Sequence, residues 1–309
     1  MTKVFIDGSA GTTGLRIRER LANRADLELV TLGGALRKDD AARREALNAA
    51  DVAFLCLPDA AAVEAAEMVT NDRTVVIDTS TAHRCSDGWT YGFPEIGGLR
   101  ERIGRAKRIA NPGCHASGFI ALVAPLVAAG LLSPDSLLSC FSLTGYTGGG
   151  KKMIAEYEDA ENAERLRAPR IYALGQRHKH LPEMVRYCGL AHAPAFNPVV
   201  SSYAVGMEVT VNLFASQLRG GAADVKEVYR SCYGGRVVRY CDADEDGFLS
   251  AAALAGSDCM TVGVFGNDER ISLISRFDNL GKGASGAAIQ NMNLALGLDE
   301  TTGLNLPEV

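Results

Sequence analysis

Lys3-Val4-Phe5-Ile6-Asp7-Gly8-Ser9-Ala10-Gly11-Thr12-Thr13-Gly14 is the stretch whose reading decides the fold. Val4, Phe5 and Ile6 form a short apolar, β-rich run, and a helical stretch, Leu15–Asn23, follows the last glycine. Glycines at 8, 11 and 14 allow a tight turn and a close backbone approach. A pyrophosphate can then sit on the N–H groups at the helix start. Strand, glycine turn and helix in that order predict a dinucleotide site, with Gly8, Ser9, Gly11, Thr12, Thr13 and Gly14 as contacts.

Outward from this loop, short β-rich runs alternate with helical ones. Strands are expected at Leu27–Leu32, Val52–Leu57, Thr74–Asp78 and Arg108–Ala110, with helices at Asp40–Ala50 and Ala60–Val69 between them. That alternation predicts a parallel sheet covered on both faces. After Asn111 the texture changes. A helix over Cys114–Ala129 leads to a strand at Leu137–Leu143, a glycine-rich loop and a polar helical stretch over Met153–Arg165. Met207, Val209, Val211 and Leu213 alternate with more polar neighbours, as in a half-buried strand, and further strands are expected at Arg236–Tyr240, Thr261–Phe265 and Arg270–Ile274. The fold class is therefore α/β, a Rossmann-type domain plus an α+β domain with a mostly antiparallel sheet. An Ala-rich helix, Ser285–Leu296, closes the chain.

Cofactor choice depends on the residues after the second strand. Sites that prefer NAD place an acid there for the ribose diol. Here Leu32-Gly33-Gly34-Ala35-Leu36-Arg37-Lys38 offers no carboxylate before Asp39. Arg37 or Lys38 could pair with a 2′-phosphate instead, so NADP(H) is the expected cofactor.

The sharpest chemical feature is Asn111-Pro112-Gly113-Cys114-His115-Ala116-Ser117-Gly118. Pro112 and Gly113 make a turn, an apolar helix begins at once, and Cys114 lies at its N-terminus. Unpaired N–H groups and the helix dipole favour a thiolate there. The other seven cysteines (56, 85, 140, 188, 232, 241, 259) are scattered and read as reduced thiols, most of them small core residues. A nucleophilic thiol needs a proton partner. Five histidines exist, and His178 and His180 sit together in Gln176-Arg177-His178-Lys179-His180-Leu181-Pro182-Glu183, before a helix start. His178 is the preferred base, His180 the alternative. No cysteine cluster accompanies the pair, so no metal is expected.

Bulk properties narrow the class. The 309 residues suffice for about two domains. A net charge of −5 gives no global basic field for nucleic acid or an anionic membrane. The longest apolar run, Phe119–Leu132, is too short to span a bilayer and is interrupted by Pro125. With no secretion signal at the start, a cytoplasmic location is expected.

Seven landmarks together carry a resemblance over essentially the whole chain. They are the Gly8–Gly14 loop, Asp78–Arg84, Tyr91–Glu95, Asn111–Cys114, Thr144–Lys152, His178–Glu183 and Asn279–Gly286. In these the sequence resembles the N-acetyl-γ-glutamyl-phosphate reductase family of arginine biosynthesis, in its shorter bacterial form, within the semialdehyde dehydrogenase superfamily. The resemblance implies an NADP domain from residues 1–113 with 285–309, and a catalytic and oligomerisation domain over 114–284. It implies Cys114 as nucleophile, His178 as its partner, support from His180 and Glu183, and cofactor contacts at Ser80 and Asn279. A small anionic substrate and phosphate would need cations, for which Arg84, Lys151, Lys152 and Arg177 are candidates, and a homodimer or homotetramer is implied. Two features depart from the long form, the shorter chain and Lys179 where arginine is more common. The rivals are aspartate-semialdehyde dehydrogenase or a related acyl-phosphate reductase, and a non-catalytic NADP-sensing regulator. A thiol redox protein is disfavoured because no Cys-x-x-Cys is present.

Overall fold

Parallel strands need a crossover of a dozen or more residues, and the first hundred residues supply it with helices. In the computed structural model, which describes residues 1–307, these are β1 (Thr2–Asp7), α1 (Thr12–Leu21), β2 (Leu27–Val30), α2 (Asp40–Ala49), β3 (Val52–Leu55), α3 (Asp59–Met68), β4 (Val75–Asp78), β5 (Thr90–Tyr91), α4 (Leu99–Ile103) and β6 (Arg108–Ala110). They build a six-stranded sheet in the order β2-β1-β3-β4-β6-β5 with every pairing parallel. All residues of β3 and β4 are buried, as covered faces require. The strand order reverses at β1 and β3, where Asp7 and Leu55 lie side by side at the carboxyl ends. Ligands of open parallel sheets bind at such a switch point.

The second group comprises α5 (Cys114–Ala128), β7 (Ser139–Gly145), α6 (Gly150–Glu158), α7 (Ala163–Leu166), β8 (Arg170–Ile171), α8 (Leu181–Cys188), β9 (Ala195–Ser201), β10 (Met207–Phe214), α9 (Ala222–Cys232), β11 (Val238–Tyr240), β12 (Met260–Gly266) and β13 (Arg270–Phe277). Its seven strands run β11-β12-β13-β10-β7-β9-β8. The sheet is mixed: four pairings are antiparallel, as expected, and β7–β9 and β11–β12 pair in parallel, which was not. The cause is connectivity, because a long crossover that includes α8 returns the chain beside β7 in the same direction. A turn at Gly281–Ser285 then leads to α10 (Gly286–Ala295).

Contacts divide the chain into two units. Met1–Pro94, Gly98–Pro112 and Ala284–Leu304 form the first, with α10 packed on α1, α4 and β4. Glu95–Gly97, Gly113–Gly283 and the segment from Asn305 form the second. Glu95 goes with the second unit through a buried ion pair to Lys282, and Asn305 through paired bonds with Asp258. Of the 285–309 segment expected in the first domain, residues 308 and 309 lie outside the described residues.

The apolar helix α5 contains Pro125, which has no N–H for the Ala121 carbonyl one turn back. The Tyr233 hydroxyl donates to that oxygen at 2.6 Å, and the Tyr229 hydroxyl donates to the neighbouring Leu122 carbonyl. Both tyrosines are fully buried at the end of α9. No helix among the described residues is long and apolar enough to cross a membrane.

Candidate active site

In the first unit the glycine loop is shaped by what a side chain would strike. Gly8 has φ +85°, and a Cβ on it would lie 2.2 Å from the Cys56 carbonyl oxygen. A Cβ on Gly14 would lie 2.5 Å from the Gly8 carbonyl oxygen. The N-cap of α1 is Gly11, which supplies no side-chain cap, so the first N–H groups are left for an external acceptor. Thr12 and Thr13 open that helix. Beside the loop lies a cavity of about 240 Å³ lined by Asp7, Gly8, Ser9, Leu32, Leu57, Arg37 and Lys38 among others. Its two leucines suit an apolar ring, and its two cations suit a phosphate. These residues fit a bound dinucleotide.

Asp7 ends β1 next to this loop, and its charge would oppose a pyrophosphate. Arg43, from α2, answers it with Nε and Nη2 at 3.1 and 3.0 Å from one carboxylate oxygen. Burial works against the Arg43 charge, but Asp7 and Asp40 outweigh it and raise its pKa. Sequence reasoning missed this pair, because thirty-six residues separate its members and no spacing signals it.

After β4 the chain ties itself to buried Asp78. Ser80 donates its N–H and hydroxyl to the two Asp78 oxygens, and His83 Nδ1 meets Oδ2 at 2.7 Å while its ring stacks on Trp89. The nearly buried Arg84 donates Nε to the Asn111 carbonyl at 2.9 Å and Nη2 to the Thr79 carbonyl at 3.2 Å. It thereby holds the end of β6, just before the turn that precedes Cys114.

In the second unit Cys114 is half-buried and is the first residue of α5, with Gly113 as N-cap. The Gly113 N–H donates to Glu183 Oε2 at 3.1 Å, and the other oxygen of that buried carboxylate lies 4.0 Å from His180 Nε2. His178 and His180 stand edge to face with ring centroids 4.6 Å apart. His178 Nδ1 accepts the His180 backbone N–H, so a neutral His178 carries its proton on Nε2 and presents a donor. His115 is buried against both, 5.7 Å from the His178 ring and 5.5 Å from the His180 ring. Burial, with help from His178 and Lys179, pushes its pKa down to about 3. Tyr172, off β8, contacts the rings of His115 and His178.

The turn before α10 lies against Cys114. A Cβ on Gly283 would come within 3.1 Å of the Cys114 Cβ, so glycine lets this backbone lie against the cysteine without crowding it. Neighbouring Lys282, fully buried, holds both Glu95 oxygens at 2.8 Å. Asn279 accepts the Gly206 N–H and donates to the Thr147 hydroxyl, which fastens the glycine-rich loop after β7. Lys151, Lys152 and Arg177 are exposed. Burial raises the pKa of Cys140, Cys188, Cys232 and Cys259, and pushes that of Cys56 to about 12, which keeps them thiols.

A parallel dinucleotide-type sheet, and a second unit in which a cysteine opens a helix whose next residue packs on two histidines, are the architecture of a semialdehyde dehydrogenase. Family models agree: residues 3–106 match the semialdehyde dehydrogenase NAD binding domain, and 114–279 match its dimerisation domain. The chain belongs to the N-acetyl-γ-glutamyl-phosphate reductase family. It is 46% identical to the reductase of Rhizobium meliloti over 306 residues, covering 95% of this chain and 98% of that one. It is 47% identical to the reductase of Brucella anthropi, covering 96% and 98%. Among solved structures, aspartate semialdehyde dehydrogenase II of Vibrio cholerae matches with a TM-score of 0.73 at 16% identity over 96% of this chain and 98% of that one. The Candida albicans aspartate semialdehyde dehydrogenase with NADP matches at 0.68 and 14%, over 95% and 98%. At such identities the likeness is one of fold.

Proposed function

We propose that this chain reduces N-acetyl-γ-glutamyl phosphate to N-acetylglutamate 5-semialdehyde, with release of phosphate, in arginine biosynthesis. The observation that carries the reading is near-full-length identity to reductases of that name, in a chain whose Cys114 opens a helix beside two histidines and a buried carboxylate.

The Cys114 sulfur attacks the γ-carbonyl carbon, a C–S bond forms, the bond to the phosphate oxygen breaks, and a thioester remains. Bound NADPH supplies the hydride that reduces this thioester. The C–S bond then breaks, the thiolate leaves, and the aldehyde is released. His180 is backed by Glu183, whose charge stabilises an imidazolium, so His180 suits the step that takes the thiol proton. His178, a donor at Nε2, suits hydrogen bonding to the substrate. This exchanges the order of the two histidines expected from sequence. Arg177, Lys151 and Arg84 are the candidate cations for the substrate's carboxylate and phosphate.

NADP rather than NAD is favoured by Arg37 and Lys38 beside the cavity next to the glycine loop. Residues 1–113 with 285–309 then serve the cofactor, and 114–284 serve catalysis and assembly as a homodimer or homotetramer in the cytoplasm. Assay of the purified protein with NADP and phosphate tests the substrate. N-acetylglutamate semialdehyde is expected to be oxidised at least 10²-fold more efficiently than aspartate semialdehyde, roughly the discrimination available when a site's polar groups go unpaired. The reverse preference overturns the reading.

A further inference from the structure

Two side chains near Cys114, one buried and one partly covered, have no part in the mechanism above. Ser142, on β7, and Tyr172 are both bonded to His115: Ser142 Oγ lies 2.7 Å from Nδ1, and Tyr172 Oη lies 2.7 Å from Nε2. A neutral imidazole has one donor and one acceptor nitrogen, so the chain of three can run in either of two directions. Burial keeps His115 neutral through the working pH range.

The surroundings choose between the directions. Among the described residues the Ser142 hydroxyl bonds only to His115, and Ser142 is wholly buried. If His115 donated from Nδ1, the serine proton would be sealed away without an acceptor, the costly way to bury a hydroxyl. Serine therefore donates to Nδ1, and Nε2–H donates to the tyrosine oxygen. The phenol proton is then left over. Among the described residues Tyr172 Oη has no second partner, and the residue is only partly covered, in contact with the His178 ring. Burial raises its pKa, and a negative charge on Cys114 adds to this, so the phenol stays protonated and lies within electrostatic reach of the sulfur.

We propose that Tyr172 is a further catalytic residue, a hydrogen-bond donor to the acyl oxygen of the group carried on Cys114, its proton directed into the site by the Ser142–His115 chain. The proposal rests on the acyl-phosphate reading of the same site. When hydride adds to the thioester carbonyl, the oxygen takes up the electron pair of the C=O bond as negative charge, and the Tyr172 O–H stabilises it. As the C–S bond breaks, the C=O bond re-forms and the proton stays on the phenol. Tyr172 thus contributes to the second half of the reaction, and Ser142 positions it from behind.

Three variants test this: Tyr172→Phe, Ser142→Ala and the double variant, each checked by thermal melting. Loss of one oxyanion donor lowers turnover by about 10²-fold, and that drop is expected for Tyr172→Phe. Ser142→Ala allows the chain to reverse and spend the phenol proton on His115, so about a tenfold drop is expected, with Tyr172 acting as the intermediary. The double variant should be no slower than Tyr172→Phe alone. Alkylation of Cys114 by iodoacetamide should remain within about twofold of the parent throughout, since the attacking sulfur is untouched. Turnover of Tyr172→Phe close to the parent overturns the proposal, as do multiplying effects in the double variant. If Tyr172→Phe fails to fold, an unchanged rate in Ser142→Ala overturns it. Absence of turnover in the parent protein overturns the acyl-phosphate reading and this proposal with it, whereas a normal parent rate with an undiminished variant removes only the donor role.

Discussion

Two helices of this molecule begin in the same way and carry different loads. Both α1 and α5 follow a parallel strand, have a glycine N-cap and lack a cap from that residue's side chain. At α1 no acid occupies the first turn, and Arg43 offsets the charge of nearby Asp7. At α5 an internal carboxylate, Glu183, already holds the Gly113 N–H. One helix start is left open to receive an anion from outside. The other has part of its donor capacity taken internally, which moderates how strongly it favours the thiolate and places a charge next to His180. The same local geometry thus leaves an open helix start in one unit and, in the other, a cysteine whose helix start is partly occupied from within.

The largest test of that contrast is Cys114→Ser. Turnover should fall by roughly 10⁴-fold or more, as when a covalent nucleophile is removed, while NADPH titration by fluorescence stays normal. Near-normal turnover would refute covalent catalysis at α5. Next comes Glu183→Gln, which keeps an oxygen for the Gly113 N–H but removes the charge. A drop of about 10²-fold in turnover is expected, since a proton-transfer step loses its stabilised imidazolium. Alkylation of Cys114 should meanwhile become faster, because an anion near the helix start has gone. Slower alkylation would show that Glu183 promotes the thiolate rather than restraining it. Gly14→Ala acts on the other helix: its methyl must move the Gly8 carbonyl, and NADPH affinity should weaken by about 10- to 30-fold, about 2 kcal/mol, with Cys114 alkylation unchanged. The smallest effect is Arg37→Ala, expected to weaken NADPH about tenfold and NADH hardly at all, since one charged hydrogen bond to the 2′-phosphate is lost. Equal losses would remove the basis for preferring NADP.

Features written in adjacent residues were legible. The glycine loop, the start of α5 at Cys114 and the alternation of β10 all follow from spacing, and β10 alternates buried with more exposed residues over most of its length. Short elements were not legible: β5 has two residues and α4 five, too few for a period to appear. Strand β9 was obscured by Pro198, a residue that argues against an interior strand. Partnerships at long range left no mark either. Glu95 and Lys282 stand 187 residues apart, each inside a landmark stretch, yet nothing in either stretch announces the other. The Ser142–His115–Tyr172 chain was missed for the same reason, since its members come from β7, α5 and the end of β8. His115 follows the nucleophile directly and was the one available clue.

The proline within α5 has a consequence for the sulfur seven residues ahead of Tyr233's anchor point at Ala121. A helix advances about 1.5 Å per residue, and chemistry at a reacting carbon can lose 10²-fold for a displacement of about 1 Å. Close packing of the side chains is what holds an ordinary buried helix against axial sliding. Here the carbonyl that proline leaves bare is latched sideways by a phenol, so axial travel would strand it in hydrocarbon. The residue that weakens the helix ladder thereby opens a place for a tether on the helix that carries Cys114.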